Sequence, residues 1–306
     1  MIKRIEIEKL GTFTGHRDCI YSLEPNLEEN GFFTSGSDGL VAKWNLSNPD
    51  QGTLVAKIPN TVYAMVRIPG EEILVVGQNF EGIHIIDLTV NKEKASLKLT
   101  DKAIFDIKFS NGKLYIAVGE GELIKVSYPE LLIEKRLKIS DQHLRALAVN
   151  EQENTLAVGS SDNSITLLDL DTLALKQKVS GHTNSVFALT YDTKYNHLLS
   201  GSRDAHMKVW DAQDGYGLKE DIVAHMYTIN HIAYRKDGKF FATCSKDKSV
   251  KVWDARTFRL LKVIDKARHA GHGTSVNKLL WLSDDELVSC SDDRSISVWK
   301  IYNLPE

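Results

Sequence analysis

The chain has 306 residues, of which 42% are hydrophobic and 26% are charged, a balance typical of a water-soluble globular protein and unlike that of disordered, collagenous or membrane proteins. Its 38 basic and 41 acidic residues leave a formal net charge of -3, so no overall positive field attracts nucleic acid or an acidic membrane surface. A nucleic-acid-binding role would therefore need a local basic patch.

The first ten residues alternate charged side chains with isoleucine. This segment, MIKRIEIEKL, lacks the apolar core of a signal peptide, and the chain contains no run of about 18 apolar residues. We therefore expect a cytoplasmic protein, or one shared between nucleus and cytoplasm, with no membrane contact. The three cysteines, Cys19, Cys244 and Cys290, include no CxxC pair, which predicts neither a disulfide framework nor a zinc site.

A repeated motif organises the chain. Four segments carry an aspartate six residues before a tryptophan: Asp38 and Trp44, Asp204 and Trp210, Asp247 and Trp253, Asp293 and Trp299. Three weaker copies lie between the first and second of these, around Asn79, Gly121 and Asp162. The seven positions are spaced by 41, 42, 41, 42, 43 and 46 residues. Seven copies fill the chain, which predicts a single domain over residues 1–306.

Each copy reads as a set of short β-strands. Runs such as VFALTYD and HMKVWDA are rich in β-branched and aromatic residues and are separated by turn residues. Four such strands in a period of roughly 40–45 residues predict a β-propeller blade. After Trp299 only KIYNLPE remains, which is too short to complete the last blade. We therefore expect residues 2–10 to supply its outer strand and so remove an open sheet edge.

The four strong copies share further polar residues. A histidine lies 21 or 22 residues before each aspartate: His16, His182, His225 and His272. A hydroxyl residue lies four positions before it: Thr34, Ser200, Thr243 and Ser289. The weak copies have Val75, Ala117 and Val158 there. Serine, histidine and aspartate together suggest a hydrolase triad, but a triad needs one copy. A set that occurs four times with a tryptophan is better interpreted as a structural network, and we predict no catalytic residue, cofactor or metal.

The pattern of GH followed by D and WD resembles the WD40-repeat family, and the resemblance covers essentially the whole chain. It implies an all-β, seven-bladed propeller closed by the N-terminal strand. It also implies that histidine, hydroxyl, aspartate and tryptophan of each strong copy form one buried hydrogen-bonded network.

The resemblance further implies two rings of residues on the top face of the propeller. The first surrounds the mouth of the central channel: Tyr21, Tyr63, Phe105, Arg145, Phe187, Asn230 and Asn277. Aromatic and arginine side chains of this kind dominate binding hot spots. The second ring is the residue before each repeat aspartate: Ser37, Gln78, Glu120, Ser161, Arg203, Lys246 and Asp292. A lengthened loop with Lys266, Arg268 and His269 is interpreted either as a solvated loop or as a site for an acidic partner.

Three functions remain open at this point. The first is a non-enzymatic scaffold that binds a protein or peptide at the top face and channel mouth. The alternative is a subunit of an RNA-linked or ribonucleoprotein assembly, in which Arg203, Lys246 and the loop near Arg268 would contact phosphates. The third is a propeller enzyme, which would need carboxylates or histidines at the channel mouth. The first ring contains neither.

Overall fold

The computed structural model describes residues 5–28, 30–49, 51–192 and 194–303. Within these ranges the strands form seven four-stranded antiparallel sheets. The first strand of each sheet contacts the first strands of its two neighbours around a central channel. The predicted all-β, seven-bladed propeller is confirmed.

The fold begins with strand β1 (Ile5–Thr14), which belongs to the last blade. The strands of blades 1 to 3, each from innermost to outermost, are β2 (Ile20–Pro25), β3 (Gly31–Gly36), β4 (Leu40–Asn45), β5 (Thr53–Lys57), β6 (Met65–Arg67), β7 (Ile73–Gln78), β8 (Gly82–Asp87), β9 (Lys92–Lys98), β10 (Ile104–Ser110), β11 (Lys113–Val118), β12 (Glu122–Ser127) and β13 (Ile133–Lys138).

Blades 4 to 7 follow in the same way. Their strands are β14 (Leu144–Asn150), β15 (Thr155–Ser160), β16 (Ser164–Asp169), β17 (Leu175–Ser180), β18 (Val186–Asp192), β19 (His197–Ser202), β20 (His206–Asp211), β21 (Gly217–Val223), β22 (Ile229–Tyr234), β23 (Phe240–Ser245), β24 (Val250–Asp254), β25 (Leu260–Ile264), β26 (Val276–Trp281), β27 (Glu286–Ser291) and β28 (Ser295–Asn303). The helices are short: α1 (Lys266–His269) and two 3-10 turns, Gly119–Gly121 and Ala212–Asp214. In the described ranges, none of these helices is long and apolar enough to span a membrane.

Burial within a blade explains the composition of its strands. The second strand is covered on both faces, so β3, with sequence GFFTSG, and β7 are buried at every position. The outermost strand faces solvent, and β13, with sequence IEKRLK, is exposed at most positions. Charged side chains, lysine above all, discourage such an edge from pairing with another chain.

The hydrophobic core lies between the blades. The buried apolar residues of the described ranges form seven clusters, and each cluster joins two neighbouring blades. In the cluster between blades 7 and 1, for example, the rings of Phe13 and Phe32 meet edge to face with a centroid distance of 5.7 Å. Each blade therefore depends on both neighbours for its burial, and the ring must close for every face to be covered.

Strand β1 closes the ring, as the sequence predicts. It pairs antiparallel with β28 from Ile5 opposite Asn303 to Thr14 opposite Ser295, with a bulge at Leu10. Ile5 and Phe13 are 3% and 2% exposed, and they belong to the two core clusters that flank blade 7. The pairing extends four residues beyond the predicted end of this segment, while residues 2–4 of the prediction and the chain's last three residues lie outside the described residues.

One end of every blade carries both the connection into its innermost strand and the turn between its second and third strands. In blade 5 a bond of 2.9 Å between Nδ1 of His182 in the connection and Oδ2 of Asp204 in the turn places the two at the same end. We call this end the top face.

Blade 3 has a register different from the one that the sequence suggests. In blade 5 the turn of residues 202–206 lies between paired strands, with Asp204 in the middle. The corresponding turn in blade 3 is residues 118–122, so Glu120 and not Gly121 takes the aspartate position. Gly121 has a φ of +77°, and a Cβ there would lie 1.7 Å from a backbone oxygen. Only glycine fits at position 121. Because this glycine was aligned with the aspartate of the other repeats, the expected position of the turn was wrong by one residue.

Blade 2 is also shifted by one residue, but in the opposite direction. Its turn is residues 78–82, which places Phe80 at the aspartate position and Asn79 in the second top-face ring. Gln78, the predicted ring residue, is instead buried and lies 2.8 Å from Nε2 of His84. The apolar residues at the hydroxyl position shift as well, from Val75 and Ala117 to Val76 and Ile116.

Candidate functional site

The four strong repeats each contain a chain of hydrogen bonds. In blade 5, Nε1 of Trp210 donates to Oγ of Ser200 at 2.9 Å, and Nε2 of His182 lies 2.7 Å from the same oxygen. The carboxylate of Asp204 only accepts, so Nδ1 of His182 donates to it at 2.9 Å; Nε2 of the neutral imidazole then accepts the proton of the Ser200 hydroxyl. The same bonds join His16, Thr34, Asp38 and Trp44, then His225, Thr243, Asp247 and Trp253, then His272, Ser289, Asp293 and Trp299.

These hydroxyls are not placed to attack a substrate. The Ser200 side chain has no exposed surface, and its oxygen is held between indole and imidazole. Burial opposes ionisation of Asp204, but hydrogen bonds from His182 and two backbone amides outweigh it and lower the pKa of this carboxyl far below its usual range. Each set of four residues thus joins the connection that enters a blade to the turn between the second and third strands of the same blade.

Blade 4 carries a reduced version that the sequence analysis missed. Ser140 stands in the place of the histidine and donates to Oδ2 of Asp162 at 3.0 Å, while Nζ of Lys178 lies 3.2 Å from the same oxygen. Burial raises the pKa of Asp162, but hydrogen bonds from Ser164, Ser140 and Lys178 lower it to about 2. The spacing of 22 residues between Ser140 and Asp162 was the available signal.

All seven predicted ring residues meet at the top of the central channel. They line a cavity of about 310 Å³, and each is partly exposed. In six blades the ring residue is the extra, unpaired residue of a β-bulge: Tyr21, Phe105, Arg145, Phe187, Asn230 and Asn277. Tyr63 lies just before β6. A bulge bends a strand and redirects a side chain, so the same local irregularity aims these residues at the channel.

The side chains of blades 1 to 5 form a continuous aromatic wall. The ring of Tyr63 lies 4.8 Å from that of Tyr21 and 5.7 Å from that of Phe105. The guanidinium of Arg145 extends the wall, at 4.3 Å from the centre of the Phe105 ring and 5.0 Å from that of Phe187. The wall is thus a packed set of rings and one cation with one side open to the cavity.

The two ring asparagines have a structural task that the sequence did not reveal. Nδ2 of Asn230 donates to the backbone oxygen of Val276 at 2.8 Å, and Nδ2 of Asn277 donates to that of Ile20 at 2.9 Å and to Oδ1 of Asp292 at 2.7 Å. Each amide therefore joins its blade to the next. Both asparagines line the cavity, but their Nδ2 groups already donate hydrogen bonds within the propeller.

Below the ring lies a group of titratable residues that the repeat alignment, with one residue per strand, did not reveal. Asp106, Lys108, His231 and Lys278 line the same cavity. Burial and the two lysines lower the pKa of His231 well below its usual value, so this imidazole is neutral. Burial opposes the charge of Lys108, but Asp106 and Glu24 outweigh it and raise its pKa. Across the described parts of the chain, no three histidine, cysteine or acidic side chains are grouped as metal ligands.

The second ring differs in exposure from blade to blade. Arg203 and Lys246 are exposed on the top face, and Asp292 is partly covered. Glu120 is exposed too, at the aspartate position, and pairs with Lys102 at 3.0 Å.

The lengthened loop before blade 7 contains the short helix α1. Oδ1 of Asp265 accepts from the Arg268 amide at 2.8 Å, and Oδ2 lies 3.1 Å from Nε of Arg268. Lys266 and Arg268 are exposed and His269 is partly covered. The loop contacts β1, because Nζ of Lys9 donates to the oxygen of Ala270 at 2.6 Å.

Comparison with known proteins agrees with this geometry. The family model described as "WD domain, G-beta repeat" matches residues 7–45, 174–211, 218–254 and 265–300, which are the four strong repeats. The THO complex subunit 6 homolog of Danio rerio is 23% identical over 175 residues, which cover 50% of this chain and 54% of that protein. Periodic tryptophan protein 2 of Saccharomyces cerevisiae is 23% identical over 220 residues, 68% of this chain and 21% of that protein.

A third relative, the WD repeat and HMG-box DNA-binding protein 1 of Mus musculus, is 29% identical over 119 residues, 39% of this chain and 11% of that protein. The chain thus spans about half the length of the THO complex subunit 6 relative and less of the other two. Repeat matches, seven blades and N-terminal closure together place the chain in the WD40-repeat family.

Proposed function

We propose that this chain is a non-enzymatic scaffold that holds an extended segment of another protein at the channel mouth. One observation carries the proposal: a cavity of about 310 Å³ is walled by aromatic side chains from four different blades and by Arg145. Ligand pockets in proteins usually measure about 300–1,000 Å³ and combine apolar walls with a few polar groups. The cavity has this composition and suits one or two inserted side chains.

The rings are suited to binding because their position is fixed before a partner arrives. Tyr63 contacts Tyr21 and Phe105, and Phe187 contacts Arg145. A fixed aromatic side chain buries a large area on binding and loses little rotamer freedom. All of these rings remain partly exposed, so a partner would bury surface that the propeller itself leaves open.

Two observations favour a scaffold over an enzyme. The hydroxyls of the four Ser/Thr, His and Asp sets are fully buried, and their protons are committed to imidazoles. One relative is by name a subunit of a complex, the THO complex, which supports a role as one component of a larger assembly.

Affinity capture with a double variant tests the proposal. Tyr63→Ala with Phe187→Ala should lose the partner retained by the parent, because removal of a hot-spot side chain costs about 2 kcal/mol or more, or roughly 30-fold in affinity. A Tyr195→Ala, Tyr302→Ala variant is the matched control, since neither residue lines the cavity. Retention of the same partner by a stably folded Tyr63, Phe187 variant would contradict the proposal. Early unfolding would do so too, because it would show that the rings serve packing.

A second candidate is a subunit of an RNA-containing assembly. It is supported by Arg203 and Lys246, which are exposed on the top face. Contacts from these residues to phosphates would release counterions, so RNA retention should weaken steeply as salt rises. RNA binding that is insensitive to Arg203→Gln and Lys246→Gln would exclude this use of the top face.

A further inference from the structure

We propose that the channel mouth accepts an anionic side chain of its partner, a carboxylate or a phosphate on a peptide, with Arg145 as its receptor and Lys278 as the attracting charge on the cavity floor. This inference rests on the proposed function, because it names the chemistry of the segment that the mouth would hold.

Arg145 is held ready for such a ligand. Its guanidinium lies over the rings of Phe105 and Phe187, at 4.3 Å and 5.0 Å, and its Nε donates to Oγ of Ser161 at 2.9 Å. Two rings and one hydroxyl therefore fix the plane of the guanidinium. A group that is already ordered loses little conformational entropy when it binds.

The terminal nitrogens of Arg145 are unused. Among the residues that the structure describes, neither Nη1 nor Nη2 donates a hydrogen bond. Burial and the neighbouring charge of Arg203 lower the pKa of Arg145, but a guanidinium stays charged at any physiological pH. A fixed, charged fork with two free nitrogens matches the geometry of a carboxylate or a phosphate.

Lys278 adds a second unpaired cation. Nζ of Lys278 forms neither a hydrogen bond nor an ion pair within 4.0 Å in the described part of the chain, whereas Nζ of Lys108 lies 3.2 Å from Asp106. Both lysines line the cavity. An ammonium drawn away from bulk water without a carboxylate partner is unfavourable, and an entering anion would offset that cost.

Burial lowers the pKa of Lys278, and Asp106 and Glu24 raise it only in part, so these two carboxylates do not fully offset the cost of burying the charge. Asp106 accepts from the amides of Ile107 at 3.0 Å and Leu147 at 2.8 Å, in addition to Lys108. Asp292, which belongs to blade 7 like Lys278, accepts a hydrogen bond from Asn277 at 2.7 Å. On the top face of blades 4 to 6, exposed Arg203 and Lys246 add two further cations near Arg145.

The shape of the site favours a peptide over RNA. A cavity of about 310 Å³ at the end of a channel admits single side chains. Proteins that bind single-stranded nucleic acid instead provide a groove that follows the backbone over several nucleotides.

Binding of four peptide libraries to the purified full chain tests the inference. Each fluorescein-labelled library has degenerate flanks and one fixed central residue: glutamate, phosphoserine, glutamine or lysine. By fluorescence anisotropy the parent should bind the glutamate or the phosphoserine library at least about tenfold more tightly than the glutamine library, as expected for charge-assisted hydrogen bonds. The two anionic libraries distinguish a carboxylate from a phosphate.

Single substitutions test which residues cause the preference for anionic peptides. Arg145→Gln and Lys278→Met should each reduce the preference for the anionic library, and Arg145→Lys should retain only part of it, because lysine keeps the charge without the planar fork. Arg256→Gln makes the same change of charge at an exposed residue of the β24–β25 turn and should leave the preference intact. Tyr21→Ala should weaken all libraries alike. Thermal melting of every variant identifies any that is misfolded. If Arg145→Gln is misfolded, Lys278→Met serves as the test instead.

The outcomes separate this inference from the proposed function. If the parent binds neither the glutamate nor the phosphoserine library more tightly than the glutamine library, the anionic ligand is overturned, while partner loss by the Tyr63, Phe187 variant would still support the channel mouth as a binding site. Failure of the parent to bind any peptide library overturns the inference as well. Arg145-dependent binding of a labelled oligouridylate in that case would favour the RNA-linked alternative.

Discussion

The indole of Trp210 and the hydroxyl of Ser200 are joined by a hydrogen bond of 2.9 Å in which neither atom reaches solvent. The hydroxyl is the link between the tryptophan on the third strand of blade 5 and the histidine on the connection before its first strand. Removing it should therefore leave two buried polar atoms, Nε1 of Trp210 and Nε2 of His182, without a partner.

Ser200→Ala should destabilise the propeller by about 1–3 kcal/mol, because a buried donor or acceptor without a partner retains its desolvation cost. Denaturant unfolding of the parent and the variant measures the difference. Ser47→Ala, at an exposed position of the turn after β4, is the control and should be within experimental error of the parent. Unchanged stability of Ser200→Ala would show that the network contributes little to the fold.

Deletion of residues 1–10 should lower the melting temperature substantially or cause aggregation, because it removes most of β1 and exposes the edge of β28. A synthetic peptide of residues 1–14 added to the truncated protein should restore part of the stability by pairing with that edge. The same peptide with Ile5 and Ile7 changed to serine is the control. An unchanged melting temperature after truncation would mean that blade 7 is complete without β1.

Thermal stability should fall as the pH drops from 7 to 5. Burial lowers the pKa of His16, His225 and His231 below the usual 6.5, so the unfolded chain binds more protons than the native one in this range. The stability that these histidines contribute is complete above about pH 6.5, the pKa of histidine in the unfolded chain. It is lost as the pH falls from there towards their lower pKa values in the native protein. Melting at pH 5, 6, 7 and 8 should give a plateau at the upper two values. A higher melting temperature at pH 5 than at pH 7 would contradict this explanation.

The Cys19 thiol should react slowly with alkylating reagents. Burial and the nearby Asp292 raise its pKa to about 11, so at pH 8 the thiolate fraction is roughly 100-fold lower than for a thiol of ordinary pKa. Mass spectrometry after iodoacetamide treatment of the folded chain measures the rate, since Cys244 and Cys290 have no exposed surface. Asp292→Asn should accelerate labelling, and Asp284→Asn, at an exposed position, should not. Rapid labelling of the parent at pH 8 would disprove the raised pKa.

The sequence was sufficient to predict the blades, their number and their closure. The blades and their number follow from a repeated local pattern, and the pairing of β1 with β28 confirms the closure. The ring at the channel mouth could also be predicted, because its residues stand at the same position of each repeat, and in six blades that position is a bulge.

Other features depend on information that no single repeat contains. The registers of blades 2 and 3 were each wrong by one residue because those turns lack an aspartate; in blade 3, a glycine required by close packing stood next to the true position. Lys278 and Asp106 come from blades 7 and 3, and only the closed ring brings them to one cavity. Asn230 and Asn277 resemble binding residues in sequence, but their partners are backbone atoms of the following blades.

The bulges of the innermost strands separate recognition from folding. Phe105 and Arg145, for example, are skipped by the pairing of their strands with β11 and β15, so the ladder that holds each blade together does not depend on their side chains. Mutations at such positions can change what the mouth recognises and leave the backbone pairing intact. A propeller built in this way can acquire a new partner one blade at a time, so closely related chains with the same blades can differ in specificity at these seven positions alone.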